Sequence, residues 1–183
     1  MRELALNILD ITENSLAAGA KHVSIALTAD FAADRMRIEI CDDGCGMDEE
    51  TLAKVTDPFT TSRTTRSVGM GIPLFKYSAE STGGNFGIFS EKGKGTRIFA
   101  EYVIGHIDRM PLGDFGGIVL QLVTMNPSVD FTVTVEADGR KGVLDTSEIK
   151  EILGEIPLDM PEVRAFLKDY IQENLVNIYG GRL

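Results

Sequence analysis

Asn14, Asp42 and a handful of glycines are the residues whose types and spacing could do chemistry in this 183-residue chain. An asparagine offers a neutral amide oxygen. That suits magnesium, which prefers oxygen ligands, keeps several waters and takes its remaining ligands from phosphate groups. Asp42 follows the alternating run Met36 to Cys41, so a strand end would fix its carboxylate. A fixed carboxylate is a natural acceptor for the amino group of adenine. Gly44 and Gly46 let the backbone turn sharply there and come close to a flat base. Gly69 and Gly71 precede a helical pattern, and free N–H groups at a helix N-terminus favour phosphate. Arg63 and Arg66, just upstream, could reach phosphate oxygens; two solvated arginines are the other reading. Each signal alone is weak, since an Asp-Asp-Gly turn is common. Their order carries the argument: an amide on a helix, a carboxylate at a strand end, glycines before a helix, and Gly93-Lys94-Gly95-Thr96 entering a strand. Together they are parts that would hold ATP and Mg2+.

The elements that must position these residues follow from periodicity. Residues 3–18 read as a helix, with Leu4, Ile8, Ile11, Ser15 and Ala18 on one stripe. Asn7, Asp10 and Asn14 form a second, polar stripe, which a solvated face would also explain. Gly19 is a C-terminal stop. Residues 21–28 and 36–41 alternate as half-buried strands joined by a hairpin over 30–34. A short helix over 48–54, a helix over 72–81 and strands over 85–90 and 96–104 complete the first part. Helices with adjacent antiparallel strands predict an α+β, two-layer sandwich. Beyond Gly105 we expect a helix over 114–125, a strand over 129–135, a turn at Asp138-Gly139 and a short strand at 143–144. A helix over 147–153, capped by Thr146 or Ser147, and an amphipathic helix over 161–179 follow. The chain divides into an ATP-binding domain, 1–104, and a small acidic α+β C-terminal extension, 105–183. The last helix would cover the core or form a homodimer seam.

Composition narrows the partners. The net charge is −10, with 11 basic and 15 acidic side chains in residues 1–104 and 7 and 13 in the rest. Such a surface repels nucleic acid and anionic membranes. No apolar run approaches the roughly 20 residues of a membrane span, and no signal peptide opens the chain, so a cytoplasmic protein is expected. Cys41 and Cys45 read as small, partly buried residues flanking a tight turn rather than a metal or redox pair.

Glu13-Asn14-Ser15-Leu16-Ala17-Ala18-Gly19-Ala20, Asp42-Asp43-Gly44-Cys45-Gly46-Met47, Ser67-Val68-Gly69-Met70-Gly71-Ile72 and Gly93-Lys94-Gly95-Thr96 resemble a known set of boxes. They are those of the ATP-binding superfamily shared by DNA gyrase, Hsp90 chaperones, histidine kinases and MutL (GHKL). The resemblance covers roughly residues 1–104 and implies the Bergerat ATP-binding fold. It implies Asn14 as the magnesium ligand, Asp42 as the adenine acceptor, and Gly95 and Thr96 in the last box, where a threonine hydroxyl supports the adenine site. Asp57-Pro58-Phe59-Thr60-Thr61-Ser62 is similar to the phenylalanine-containing box of histidine kinases. Hydrolysing members place a general base, usually glutamate, four residues before the asparagine. Here that position is Asp10, which shares Asn14's face but is one methylene shorter, so its carboxylate sits roughly 1.5 Å further back, whereas base catalysis needs heavy atoms within about 3 Å or one bridging water.

The resemblance to MutL and gyrase implies a larger second domain that supplies a lysine, which the acidic tail does not match. Neither His22 nor His106 sits where a phosphoacceptor would, so we expect a stand-alone domain whose acceptor is on another protein. The reading is a cytoplasmic Mg-ATP-binding kinase or regulatory ATPase acting on a protein partner, which would dock through the tail or a lid over 51–68. The alternative is a nucleotide-gated binding module with little catalysis.

Overall fold

The computed structural model describes residues 3–56 and 70–183. Among these, α1 (Leu4–Ala17) leads into the hairpin of β1 (His22–Asp30) and β2 (Arg35–Asp42). Then come α2 (Glu49–Lys54), α3 (Gly71–Glu80), β3 (Phe86–Glu91) and β4 (Gly95–Val103). The later part adds α4 (Phe115–Met125), β5 (Asp130–Ala137), β6 (Arg140–Asp145), α5 (Thr146–Leu153) and α6 (Pro161–Ile171). A π-helical stretch, Gln172–Val176, and a last turn, Asn177–Tyr179, continue α6.

The six strands form one mixed sheet in the order β3-β4-β2-β1-β5-β6. Neighbours are antiparallel except β1 and β5, which run parallel from His22 opposite Asp130 to Ala29 opposite Ala137. Alternation fixes which face is buried, because successive side chains point to opposite sides. Val23, Ile25 and Leu27 of β1, Met36, Ile38 and Ile40 of β2 and Phe131, Val133 and Val135 of β5 all face the core. Leu4, Ile8 and Ile11 of α1, Phe75 of α3 and Phe115, Val119 and Leu122 of α4 belong to the same core. The architecture is the expected α+β sandwich, and Asn7 is buried within it at 1% exposure. A solvated stripe is therefore excluded, since Asp10 and Asn14 are half-buried too.

Residues 105–183 are continuous with this sheet. β5 and β6 extend it past β1, and Pro111 and Leu112 accept hydrogen bonds from Leu4 N–H (2.9 Å) and Ala5 N–H (2.8 Å). The preceding residue, Glu3, gives α1 no side-chain cap, so these carbonyls satisfy donors that a helix start leaves orphaned. Asp145, not Thr146 or Ser147, caps α5: its side chain accepts from Ser147 N–H at 2.9 Å. Thr146 instead turns inward and accepts from Phe131 N–H at 2.8 Å.

Val163, Leu167 and Ile171 bury one stripe of α6, so the last helix covers the core. It is seated on β6 at Gly142, where a Cβ would lie 1.7 Å from Asn174 O and 2.6 Å from Ile178 Cδ1. Backbone cannot yield as a side chain can. Gly142→Ala is expected to cost about 1–3 kcal/mol, read as a drop in melting temperature of roughly 2–4 °C per kcal/mol. An unchanged melt would show that the helix floats on the sheet.

Candidate functional site

The site is assembled where α1 ends, β2 ends, β4 begins and α3 begins. Gly19, with φ 76°, takes the left-handed conformation just past the end of α1. This leaves Asn14 and Ser15 in the last turn, beside the end of β2. Ser15 Oγ donates to Asp42 Oδ2 at 2.6 Å, and Gly44 N–H donates to Asp42 Oδ1 at 3.0 Å. The two bonds fix the plane of the Asp42 carboxylate. Asp43 does different work: its Oδ1 accepts from Lys21 N–H (2.7 Å) and His22 N–H (2.9 Å). Those backbone donors, that of His22 first, hold its pKa below the usual carboxylate value. The Asp-Asp pair thus divides into a turn anchor and a carboxylate left for the cavity.

Glycine is required where backbones cross. A Cβ on Gly46 (φ 62°) would lie 2.0 Å from Glu91 O, and one on Gly95 (φ 94°) would lie 1.9 Å from Asp42 O. Gly44 packs against Ala18, where a Cβ would come within 2.9 Å of the alanine Cβ. Thr96 stands opposite Asp42 in the β2–β4 register and opposite Ser90 in β3–β4. Its hydroxyl is 2.9 Å from Ser90 Oγ, which also accepts from Met47 N–H at 2.8 Å. The last box is thereby tied to the turn that follows Gly46.

A cavity of about 230 Å³ opens between these segments. Asn14, Ser15, Asp42 and Thr96 give it polar groups, and Ile11, Ile72, Ile88 and Ile98 give it apolar walls. Apolar walls with a few convergent polar groups are what small-molecule sites have, though most run to ~300–1,000 Å³. This one suits a base-sized group. Beyond its rim, a Cβ on Gly71 would lie 3.2 Å from Asp10 Cβ, 3.6 Å from Asp10 Oδ2 and 3.9 Å from Asn14 Nδ2. The start of α3 therefore abuts Asp10 and Asn14, so N–H groups at a helix N-terminus, an amide and a carboxylate meet in one place. Burial pushes the Asp10 carboxyl up from its ordinary pKa. Arg63, Arg66 and Gly69 lie outside the described residues, as do the phenylalanine-containing box and most of the expected lid.

Two residues of the site are not singled out by sequence reasoning. Spacing places Ser15 on the apolar stripe of α1, yet it orients Asp42; a hydroxyl in an otherwise apolar stripe is the available signal. Ser90 carries no signal without its register with Thr96. Cys45 also differs from expectation: it is exposed, on the rim of the cavity, whereas Cys41 is half-buried.

The family model for histidine kinase-, DNA gyrase B- and HSP90-like ATPases matches residues 1–104. The chain belongs to this family. Membership implies ATP binding, and the residues present fit such a ligand: a held carboxylate at the wall of an apolar cavity, with close backbone crossings that only glycine permits. Over 103 residues the chain is 31% identical to a putative sensor protein of Shewanella frigidimarina, covering 55% of this chain and 16% of that one. It is 28% identical over 107 residues to the sensor histidine kinase AruS of Pseudomonas aeruginosa, covering 55% and 11%. The chain thus spans only a sixth or less of the length of these relatives. A solved structure of the N-terminal domain of a DNA repair protein shares the fold at TM-score 0.58 and 14% identity, over 85% of this chain and 58% of that one. The Aquifex aeolicus MutL ATPase domain complexed with ADP aligns at TM-score 0.50 and 16% identity, over 84% and 69%. Among the described residues, no helix is long and apolar enough to cross a membrane.

Proposed function

We infer that this GHKL ATPase is a Mg-ATP-dependent kinase or regulatory ATPase acting on a protein partner. The observation that carries the reading is the convergence of Asp10, Asn14 and the start of α3 at the rim of the cavity walled by Asp42. Asp42 is the acceptor for the adenine amino group, kept in plane by Ser15 and Gly44. Thr96, braced by Ser90, closes the same end, and Gly44, Gly46 and Gly95 let the segments around Asp42 pack closely enough to bring the backbone up to the base. Asn14 holds the metal, and Gly71, with Gly69, Arg63 and Arg66 of the adjoining segment, receives the phosphates. Magnesium bound there would neutralise phosphate charge. Asp10 takes a proton from the attacking hydroxyl or water, and its raised pKa makes it a stronger base than an exposed aspartate.

The test is γ-labelled ATP and magnesium with the purified protein, alone and with lysate. Label on a lysate protein, absent with Asp42→Asn, supports the kinase reading. Free phosphate without labelled protein supports the ATPase. Unchanged ATP with nucleotide-dependent pull-down supports the binding module, which the short reach of Asp10 favours.

Asp10→Asn is expected to lower turnover by about 10²-fold or more, the scale of general-base assistance, with ATP affinity within about threefold. The wild-type rate should fall as pH drops through a value above the ordinary aspartate range, because burial raises the Asp10 pKa. That limb should vanish in the variant; an unchanged rate and profile would remove Asp10 from the mechanism. The same shift acts on stability with a fixed sign. The folded state keeps the Asp10 proton where the unfolded chain has lost it, so the contribution is present below the unfolded pKa and lost as pH rises through the folded one.

A further inference from the structure

We propose that the strip formed by Phe166, Tyr170 and Val143 docks a basic protein segment bearing an apolar anchor side chain. The proposal does not depend on the nucleotide site. Helical spacing divides α6 into three faces. Val163, Leu167 and Ile171 are buried. Arg164 and Lys168, four apart, lie on a second face, and Arg164 Nη1 donates to Thr124 Oγ1 of α4 at 3.3 Å. Glu162, Phe166 and Asp169, at steps of four and three, form the third and are exposed. Tyr170 lies between this third face and the buried one.

Phe166 is 58% exposed, its ring 6.1 Å from that of Tyr170. Tyr170 Oη donates to Val143 O at 3.0 Å, which brings the aromatic pair to β6, the edge strand of the sheet. Val143 is itself 38% exposed. Phe166, Tyr170 and Val143 thus form a contiguous strip across α6 and the sheet edge, and a contiguous exposed apolar patch, unlike a lone surface leucine, marks an interaction surface.

Charge selects the occupant. Residues 147–173 carry seven acidic and three basic side chains. Of the three, Lys150 is bound to Asp130 at 2.6 Å and Arg164 leans on α4. The acids beside Phe166 have no ion-pair partner among the described residues. With a net charge of −10, a second copy would meet like charge, whereas lysine or arginine flanking an apolar anchor would meet Glu162 and Asp169.

The probe is a fluorescein-labelled ten-residue peptide alternating lysine with leucine and phenylalanine, beside a twin with glutamate for lysine. Anisotropy should show the basic peptide binding and the acidic one not. Phe166→Ser and Asp169→Lys should each weaken binding about tenfold, ~1.4 kcal/mol. Phe89→Ser, on β3 at the far edge of the sheet, should not. All three positions are exposed, and unchanged melting temperatures confirm intact folds. Absence of binding, or binding indifferent to both substitutions, would overturn the proposal. So would light scattering that shows a dimer of the wild type lost in Phe166→Ser, since the occupant would then be a second copy.

Discussion

Asp42→Asn is expected to weaken ATP binding about a hundredfold while leaving the melting temperature within a few degrees. Both carboxylate oxygens already take one protein donor, Ser15 Oγ on Oδ2 and Gly44 N–H on Oδ1. An amide nitrogen placed at Oδ1 would point at another N–H. It must therefore occupy the Oδ2 position, where the Ser15 hydroxyl can rotate and accept from it. The side chain still fits, so the turn survives. What is lost is the charge and one acceptor oxygen, and an NH2 group now stands near the amino group the site is meant to accept from. A hydrogen bond to a charged partner contributes about 1.5–3 kcal/mol, and a facing pair of donors adds a desolvation cost. At 1.4 kcal/mol per tenfold, a hundredfold loss follows. Titration calorimetry with ATP and magnesium measures it. Affinity within threefold of wild type would mean that Asp42 serves the turn alone, as Asp43 does.

The sequence exposed this site because its chemistry sits in local segments. A strand end, a helix stripe and a glycine pair can each be read within a dozen residues, and most strands and helices lie within about two residues of where periodicity puts them. The exceptions are β6, which starts at Arg140 rather than 143, and the last helix, which a π-helical stretch interrupts at Gln172–Val176. What it hid was pairing. The alternation of Val129 to Val135 announces a strand but cannot say that β1 is its neighbour or that the two run parallel, because that contact closes a loop of about a hundred residues. Ser15 was hidden for the same reason: its role depends on Asp42, 27 positions away. Spacing alone groups Asn7 with Asp10 and Asn14, and spacing does not report that the folded chain leaves Asn7 at 1% exposure.

A chain ending at residue 104 is expected not to fold, although the family match ends there. Removing the rest turns β1 from an interior strand into an edge, with eight paired positions left open from His22 to Ala29. It also uncovers the core. Phe115, Val119 and Leu122 of α4 and Phe131, Val133 and Val135 of β5 are each buried to 2% exposure or less. At about 1.5–3 kcal/mol per buried side chain these six contribute roughly 9–18 kcal/mol, against about 5–15 kcal/mol for the net stability of a whole domain. The start of α1 loses its acceptors as well, since Leu4 and Ala5 donate to Pro111 and Leu112. That helix carries Asp10, Asn14 and Ser15, so the loss would reach the nucleotide site even in a residual compact state. The shortened chain should aggregate or give a poorly dispersed proton–nitrogen spectrum with no cooperative melt, and it should bind no ATP. A dispersed spectrum with ATP affinity near that of the full chain would show instead that residues 1–104 form an independent ATP-binding domain, with β5 and β6 docked on a sheet already complete.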